Sequence, residues 1–463
     1  MLANAPNLQL NQSKQRRKSS VYRVGYNADM LDIQFIRDNP KLVQEKSKQK
    51  GYEVDIPKLI QLDGERRSFM TQIEDLRRQR NEQTSSLKGQ KPTEKLLETG
   101  RQLKEKLGNL EDKFKKIDII YANLLEKVPN MPLENVPVGA SEKDNVIAKT
   151  MGEKPQFDFT PKTHWKLAET YGWIDKERAS KVTGSRFAYL KGNLVQLQFA
   201  IIQYVFNTLR DEALIQKLID ENNLHIPAKP FVLVLPPAML RTEVFAAMDR
   251  LEPRDERYKI GEDKDDLWLQ GSAEHTLGPM YKDEIVNENL LPLRYVGYAS
   301  SFRREAGTYG KDTEGIIRMH QFDKLEMEIF STPETGLDEH KLLCVLQEHL
   351  VQQLGLPYQI LQKCTADIGK PNAQGVDLEV WMAGQDKYIE THTADYMTDY
   401  QTRQLKTRVK RKDGHVELIH TNDATAFALG RIMVAIIEDY QEATGHVRIP
   451  DVLIPYTYGM NRL

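Results

Sequence analysis

Between residues 96 and 128 an apolar side chain returns every seven residues. Leu96, Leu103, Leu110, Ile117 and Leu124 form one row, and Leu107, Phe114, Tyr121 and Val128 continue a second row that opens at Gly100. A stripe this narrow cannot be buried in a broad core, so it demands a second stripe to lie against. The partner lies upstream, in Leu59, Leu62, Phe69, Ile73 and Leu76, and residues 85–92 between them contain Gly89 and Pro92, which stop a helix. The pattern predicts an antiparallel helical hairpin reaching about 50 Å. Taken alone, such a hairpin also suits a dimerisation rod or a strut. Its charge separates the readings: from Arg77 to Lys106 nine basic residues (Arg77, Arg78, Arg80, Lys88, Lys91, Lys95, Arg101, Lys104, Lys106) stand against four glutamates, in a chain of net charge −2. Local basicity on a nearly neutral chain points to a polyanion as partner.

The rest of the chain is large enough for one substantial core. Of its 463 residues, 40% are hydrophobic and 29% charged, and no uninterrupted apolar run is long enough to span a membrane. Cys344 and Cys364 are the only cysteines, which excludes a disulfide framework or a cysteine-bound zinc and suits a cytoplasmic location. Residues 1–28 hold Lys14, Arg16, Arg17, Lys18 and Arg23 with no acid, so 1–29 reads as a basic, flexible extension. Residues 30–135 form the arm-bearing domain, with a linker at 129–137, and 136–463 a catalytic domain of mixed elements. Strands are expected at 231–235, 291–298, 316–328 and 416–420, and helices at 195–223, 336–353 and 424–443. No GxGxxG or GxxxxGK[ST] occurs. The fold class is therefore α+β, a helical arm followed by an antiparallel sheet flanked by helices.

Chemistry concentrates between residues 302 and 326. Arg303, Arg304 and Glu305 precede a glycine-containing loop at 306–312, and the chain returns through Arg318, Phe322 and Glu326. A strand, a loop and a second strand can put arginines on a phosphate, an aromatic ring against a base, and a carboxylate toward a small polar substrate. Arg431, at the head of the apolar segment 432–440, supplies a second phosphate ligand.

Residues 302–326, FRREAGTYGKDTEGIIRMHQFDKLE, resemble motif 2 of the class II aminoacyl-tRNA synthetases in the form seen in seryl-tRNA synthetases. Residues 423–431, DATAFALGR, resemble motif 3, and Pro236 is similar in context to the motif 1 proline at that family's dimer interface. Residues 30–40 resemble the family's opening, and the basic hairpin occupies the place of its tRNA-binding arm. The resemblance thus covers about residues 30–463.

It implies an ATP-dependent ligase that activates L-serine to seryl-adenylate, loads tRNA(Ser), and works as a homodimer without a membrane. ATP would be held by Arg303 at the α-phosphate, Glu305 at the adenine, Phe322 on the ring and Arg431 at the far phosphate, with Arg304, Thr391 and His392 beside them. Arg303 and Arg431 are the implied catalytic residues. Ser272, Ala273 and Glu274 stand in place of the family's Thr-Ala-Glu, with Glu274 on the substrate ammonium, Glu326 on its hydroxyl and Thr425 completing the pocket. Glu390 and Thr393 would coordinate Mg²⁺ at the phosphates. Arg77, Arg78, Arg80, Lys88, Lys91, Lys95, Arg101 and Lys104 would meet tRNA.

The amino-acid pocket departs from the family pattern. His275 follows Glu274 where an apolar residue is usual, Thr391-His392-Thr393 replaces Ile-Ser-Ser, and Asp423-Ala424-Thr425-Ala426 replaces Asn-Gly-Ser-Gly. Neutral divergence within a distant lineage accounts for these changes; the sharper reading is a repacked site of altered selectivity in which His275 or His392 pairs with Asp423, and the added methyl groups would shrink the pocket. A relative activating another small amino acid or loading a carrier protein would keep the ATP residues. A non-catalytic tRNA-binding regulator would lose Arg303, Arg431 and Glu326, all of which are present.

Overall fold

The heptad rows fold as their spacing requires. In the computed structural model, which describes residues 31–86, 93–261, 265–306 and 315–463, helices α1 (Ile56–Ser86) and α2 (Glu94–Leu125) run antiparallel. They are 31 and 32 residues long, so each extends roughly 45 Å. Leu59, Leu62 and Ile73 of α1 and Leu107, Tyr121 and Leu125 of α2 are buried in the seam. Arg66 reaches Asp118 at 2.5 Å and Arg77 reaches Glu111 at 2.7 Å, tying the helices across the interface. The apolar cluster is densest at the root, where Leu31, Ile36, Val43 and Val54 pack beneath the hairpin. Lys88, Lys91 and residues 1–29 lie outside the described residues.

Eight strands form the main sheet: β1 (Val146–Met151), β2 (Val232–Val234), β3 (Leu293–Phe302), β4 (Gln321–Ser331), β5 (Tyr358–Gln362), β6 (Gln374–Met382), β7 (Lys387–Thr398) and β8 (His420–Ala428). Their spatial order is β1-β5-β6-β7-β8-β4-β3-β2, antiparallel throughout except for the β2–β3 pair. Alternation along β4 decides the two faces. Leu325, Met327 and Ile329 enter the main core against helices α3 (Asn193–Arg210), α5 (Gly336–Gln353) and α6 (Leu429–Asp439). Phe322, Lys324, Glu326 and Glu328 therefore share the opposite face.

Helix α5 matches the expectation for 336–353. The expected helix at 195–223 is instead two, α3 and α4 (Glu212–Glu221), because Asp211 takes an extended conformation and caps the second by accepting from Leu214 N–H. Residues 424–428, expected as helix, are the end of β8, paired along their length with β4 and at Ala424 also with β7, and α6 starts only at Leu429. The strand expected from 316 begins at Gln321, and that expected from 291 begins after Pro292 and runs to Phe302. Residues 416–420 divide into a short strand, Val416–Leu418, and the start of β8. Both cysteines are free thiols.

Candidate active site

Two bulges shape the site face. Leu325 pairs with Phe427 but Glu326 with Thr425, so β8 carries one extra residue, Ala426. The extra residue turns both Thr425 and Ala428 toward the face that holds Glu326. On β7, His392 pairs with Leu378 and Glu390 with Glu379, leaving Thr391 over. Glu390 and Thr393, three residues apart, thereby share one face, which plain alternation would forbid.

A cleft of about 650 Å³ opens here, lined by Arg303, Glu305, Phe322, Lys324, Glu390, Thr391, Thr393, Thr425 and Arg431 among others. The Arg303 guanidinium lies 5.4 Å from the Phe322 ring centre, and its Nε donates to the Gly271 carbonyl at 3.0 Å. Arg431 comes from the first turn of α6, donates to the Glu390 carbonyl and lies 3.4 Å from the Glu390 carboxylate. Glu305 turns the chain out of β3 with φ of +51°, a left-handed conformation uncommon for a glutamate. Arg186 donates to its carbonyl at 3.1 Å and Arg318 to its carboxylate at 2.5 Å. Most of the loop at 306–312 lies outside the described residues.

Beside this cleft sits a buried charge cluster. Lys324 Nζ donates to Ser272 Oγ at 3.0 Å and lies 2.6 Å from Glu326 Oε2, too oblique for a hydrogen bond, so that oxygen has no aligned donor. Burial pushes the Glu326 carboxyl up to about 7 against the pull of Lys324. Burial works the same way on Glu274, but His275, Lys324, Arg250 and a hydrogen bond from Ser272 outweigh it and hold that carboxyl well below its usual range. Lys324 and Arg250 are the cations among these at neutral pH, because burial drives the His275 imidazole well below its ordinary value. Glu274 Oε2 is buried without a hydrogen-bond partner. One row deeper, burial and the neighbouring acids Asp423 and Glu274 keep Glu328 protonated far above the usual carboxyl range.

The expected pairing of a histidine with Asp423 is not formed. His275 Nδ1 accepts from Gly271 N–H at 3.0 Å and its Nε2 lies 3.4 Å from Glu274, while Asp423 takes Arg250 at 3.1 Å. His392 pairs with Leu378 on the core side of β7, bonds Thr391 Oγ1 at 2.7 Å and meets Phe427 edge-on, so it does not line the cleft. Ala273 lies in a small core with Leu277 and Ala299. Arg304 also leaves the cleft, donating to the Arg257 carbonyl and lying 4.8 Å above the Tyr258 ring.

Lys324 and Arg250 were not singled out from the sequence. Lys324 had a signal, since it lies two residues from both Phe322 and Glu326 on one strand. Arg250 had none. On the arm, Arg77 is spent on Glu111, Arg78 pairs with Asp75 at 2.8 Å, and Arg101 lies 3.9 Å from Glu98. Arg80, Lys95 and Lys104 are exposed.

Among the described residues no group of three or more His, Cys, Asp or Glu converges to hold a metal. Glu390 and Thr393 nonetheless fit a hard cation that keeps other oxygens, since Thr393 Oγ1 is buried with no aligned hydrogen bond. Magnesium is bound in this way, by one or two protein oxygens plus phosphates and water. Partial burial works to raise the Glu390 carboxyl, but Arg431 and Lys363 hold it below its usual value, ready to coordinate.

Comparison with known proteins fits this geometry. Residues 30–132 match the family model "Seryl-tRNA synthetase N-terminal domain", and residues 258–440 match "tRNA synthetase class II core domain (G, H, P, S and T)". The chain is 36% identical over 436 residues to the serine–tRNA ligase of Thermotoga neapolitana, covering 92% of this chain and 99% of that one. It is 37% identical over 434 residues to that of Dictyoglomus turgidum, covering 92% and 98%. The crystal structure of seryl-tRNA synthetase from Pyrococcus horikoshii complexed with ATP is similar with a TM-score of 0.81 at 33% identity, covering 93% of this chain and 99% of that one.

Proposed function

The chain belongs to the seryl-tRNA synthetases of class II, and we propose that the residues gathered on the β4–β8 face carry out that family's two-step ligation. Its activity is that of an ATP-dependent serine–tRNA ligase: ATP and L-serine yield seryl-adenylate and pyrophosphate, and a terminal hydroxyl of tRNA then takes the seryl group. One observation carries the assignment of residues. The phosphate-reading pair Arg303 and Arg431 opens onto the same cleft as Thr425, which is paired in register with Glu326.

Serine's ammonium goes to Glu274, whose free oxygen awaits a donor, and its hydroxyl donates to Glu326 across from Thr425. Its carboxylate, already ionised, needs no general base and attacks the α-phosphorus in line with the leaving pyrophosphate. Arg303 stabilises the charge growing on the α-phosphate, Arg431 holds the far phosphate, Phe322 stacks on adenine, and Glu305 reads the base. Mg²⁺ held by Glu390 and Thr393 would neutralise phosphate oxygens. Catalysis is positioning and preorganised charge, without a covalent enzyme intermediate.

We assign tRNA(Ser) recognition to residues 30–135, through the exposed basic side chains of the hairpin, and chemistry to 136–463. A homodimer is supported by the sheet edge at β2, where Val232, Leu233 and Leu235 are exposed next to Pro236. A bare apolar edge strand is an invitation to pair. No helix among the described residues is long and apolar enough to cross a membrane. The two free thiols suit a cytoplasmic location.

ATP–pyrophosphate exchange across an amino-acid panel tests the assignment. Serine should be best and threonine a weak second, one extra methyl giving roughly 10- to 200-fold discrimination. Another amino acid outrunning serine would overturn it.

A further inference from the structure

Lys324 is a buried cation to which the ligation gives no role. It is 6% exposed, and its Nζ touches both Ser272 Oγ, at 3.0 Å, and Glu326 Oε2, at 2.6 Å. On the assignment above, which this inference rests on, the side chain of the bound amino acid ends at Glu326 and so meets Lys324 as well. A hydroxyl serves both partners, donating to the carboxylate and accepting from the ammonium. An ammonium of the same size has no lone pair to offer and lies beside a like charge out of water. Shape cannot separate the two, since one heavy atom replaces another.

We propose that Lys324 sets the selectivity of the pocket for a β-hydroxyl over a β-ammonium, so that 2,3-diaminopropionate, serine with an amine in place of its hydroxyl, is refused by charge. The surroundings make such a guard necessary. Glu274 and Glu326 are buried around the substrate, Glu328 and Asp423 lie one row deeper, and Arg250 is taken by Asp423. Without Lys324 a second ammonium meets Glu274 and Glu326 with that adjacent like charge removed. Negative discrimination of this kind works through a repulsive element placed where the wrong ligand differs.

The test is ATP–pyrophosphate exchange with serine and with 2,3-diaminopropionate on the wild-type protein, Lys324→Met and Lys324→Arg. The ratio of kcat/KM for serine over the diamino acid should fall by about 10-fold or more in Lys324→Met, chiefly through a lower KM for the diamino acid, and hold in Lys324→Arg. Equal losses for both substrates in Lys324→Met would overturn the proposal. A second measurement needs no variant: as inhibitors of wild-type serine exchange, alanine should compete better than 2,3-diaminopropionate although it has fewer polar atoms. The reverse order overturns the proposal while leaving the ligase assignment intact. Absence of serine exchange in the wild type overturns that assignment and this inference with it.

Discussion

Arg250 Nη2 lies 3.1 Å from Asp423 Oδ2 beneath the amino-acid pocket, with the carboxylate side chain 4% exposed. Burial and the neighbouring acids push the Asp423 carboxyl well up, and Arg250 opposes them. Two charges so placed stand or fall together, because removing one strands the other out of water. Arg250→Ala should therefore lower stability by about 3–5 kcal/mol, read as a drop in the chemical denaturation midpoint. Arg250→Gln with Asp423→Asn should recover most of that loss, and a double variant no better than the single one would show that the two are not coupled.

Glu326 gives the site a pH dependence of definite sign. Its carboxyl titrates near 7 in the fold against an ordinary value of 4.5. A group raised by folding stabilises the protein fully below its unfolded value and loses that contribution as pH rises through its folded one. Stability should thus decline between about pH 4.5 and 7, while kcat/KM for serine rises toward pH 7 as Glu326 becomes the ionised acceptor. Thermal melts and exchange rates across that window, with Glu326→Gln flattening both curves, check the assignment.

Arg303→Ala and Arg431→Ala should each cut serine-dependent exchange by roughly 100-fold or more, the scale of one preorganised charge contact in a site shielded from water. Steady-state exchange kinetics decide it. Rates that survive both changes would remove these arginines from the chemistry.

Replacing residues 77–106 by a short turn should spare adenylate formation and abolish efficient tRNA charging. Arg80, Lys95 and Lys104 stand exposed on that segment, so the variant should also lose salt dependence in tRNA binding. Exchange and charging assays on one preparation separate the two effects.

What the sequence determined by itself is what repeats or is contiguous along the chain. The heptad rows specified α1 and α2 and the glycine and proline between them, because side chains seven apart share a helix face whatever surrounds them. The single stretch 302–326 displayed Arg303, Phe322 and Glu326 together, since two adjacent antiparallel strands bring their own residues face to face. The tertiary structure decided what depends on register between distant strands. Residues 424–428 have helical composition at the edge of an apolar helix, yet pairing with β4, continued from the stretch of β8 held between β4 and β7, draws them into the strand. The bulges at Ala426 and Thr391 turn Thr425 into the pocket and put Glu390 beside Thr393. No local periodicity records them, because a one-residue slip against a neighbouring strand leaves no mark on the chain that slips. For the same reason Asp423 found Arg250, 173 positions away, and not the histidines its composition suggested. A charge chooses its partner by where the backbone delivers it.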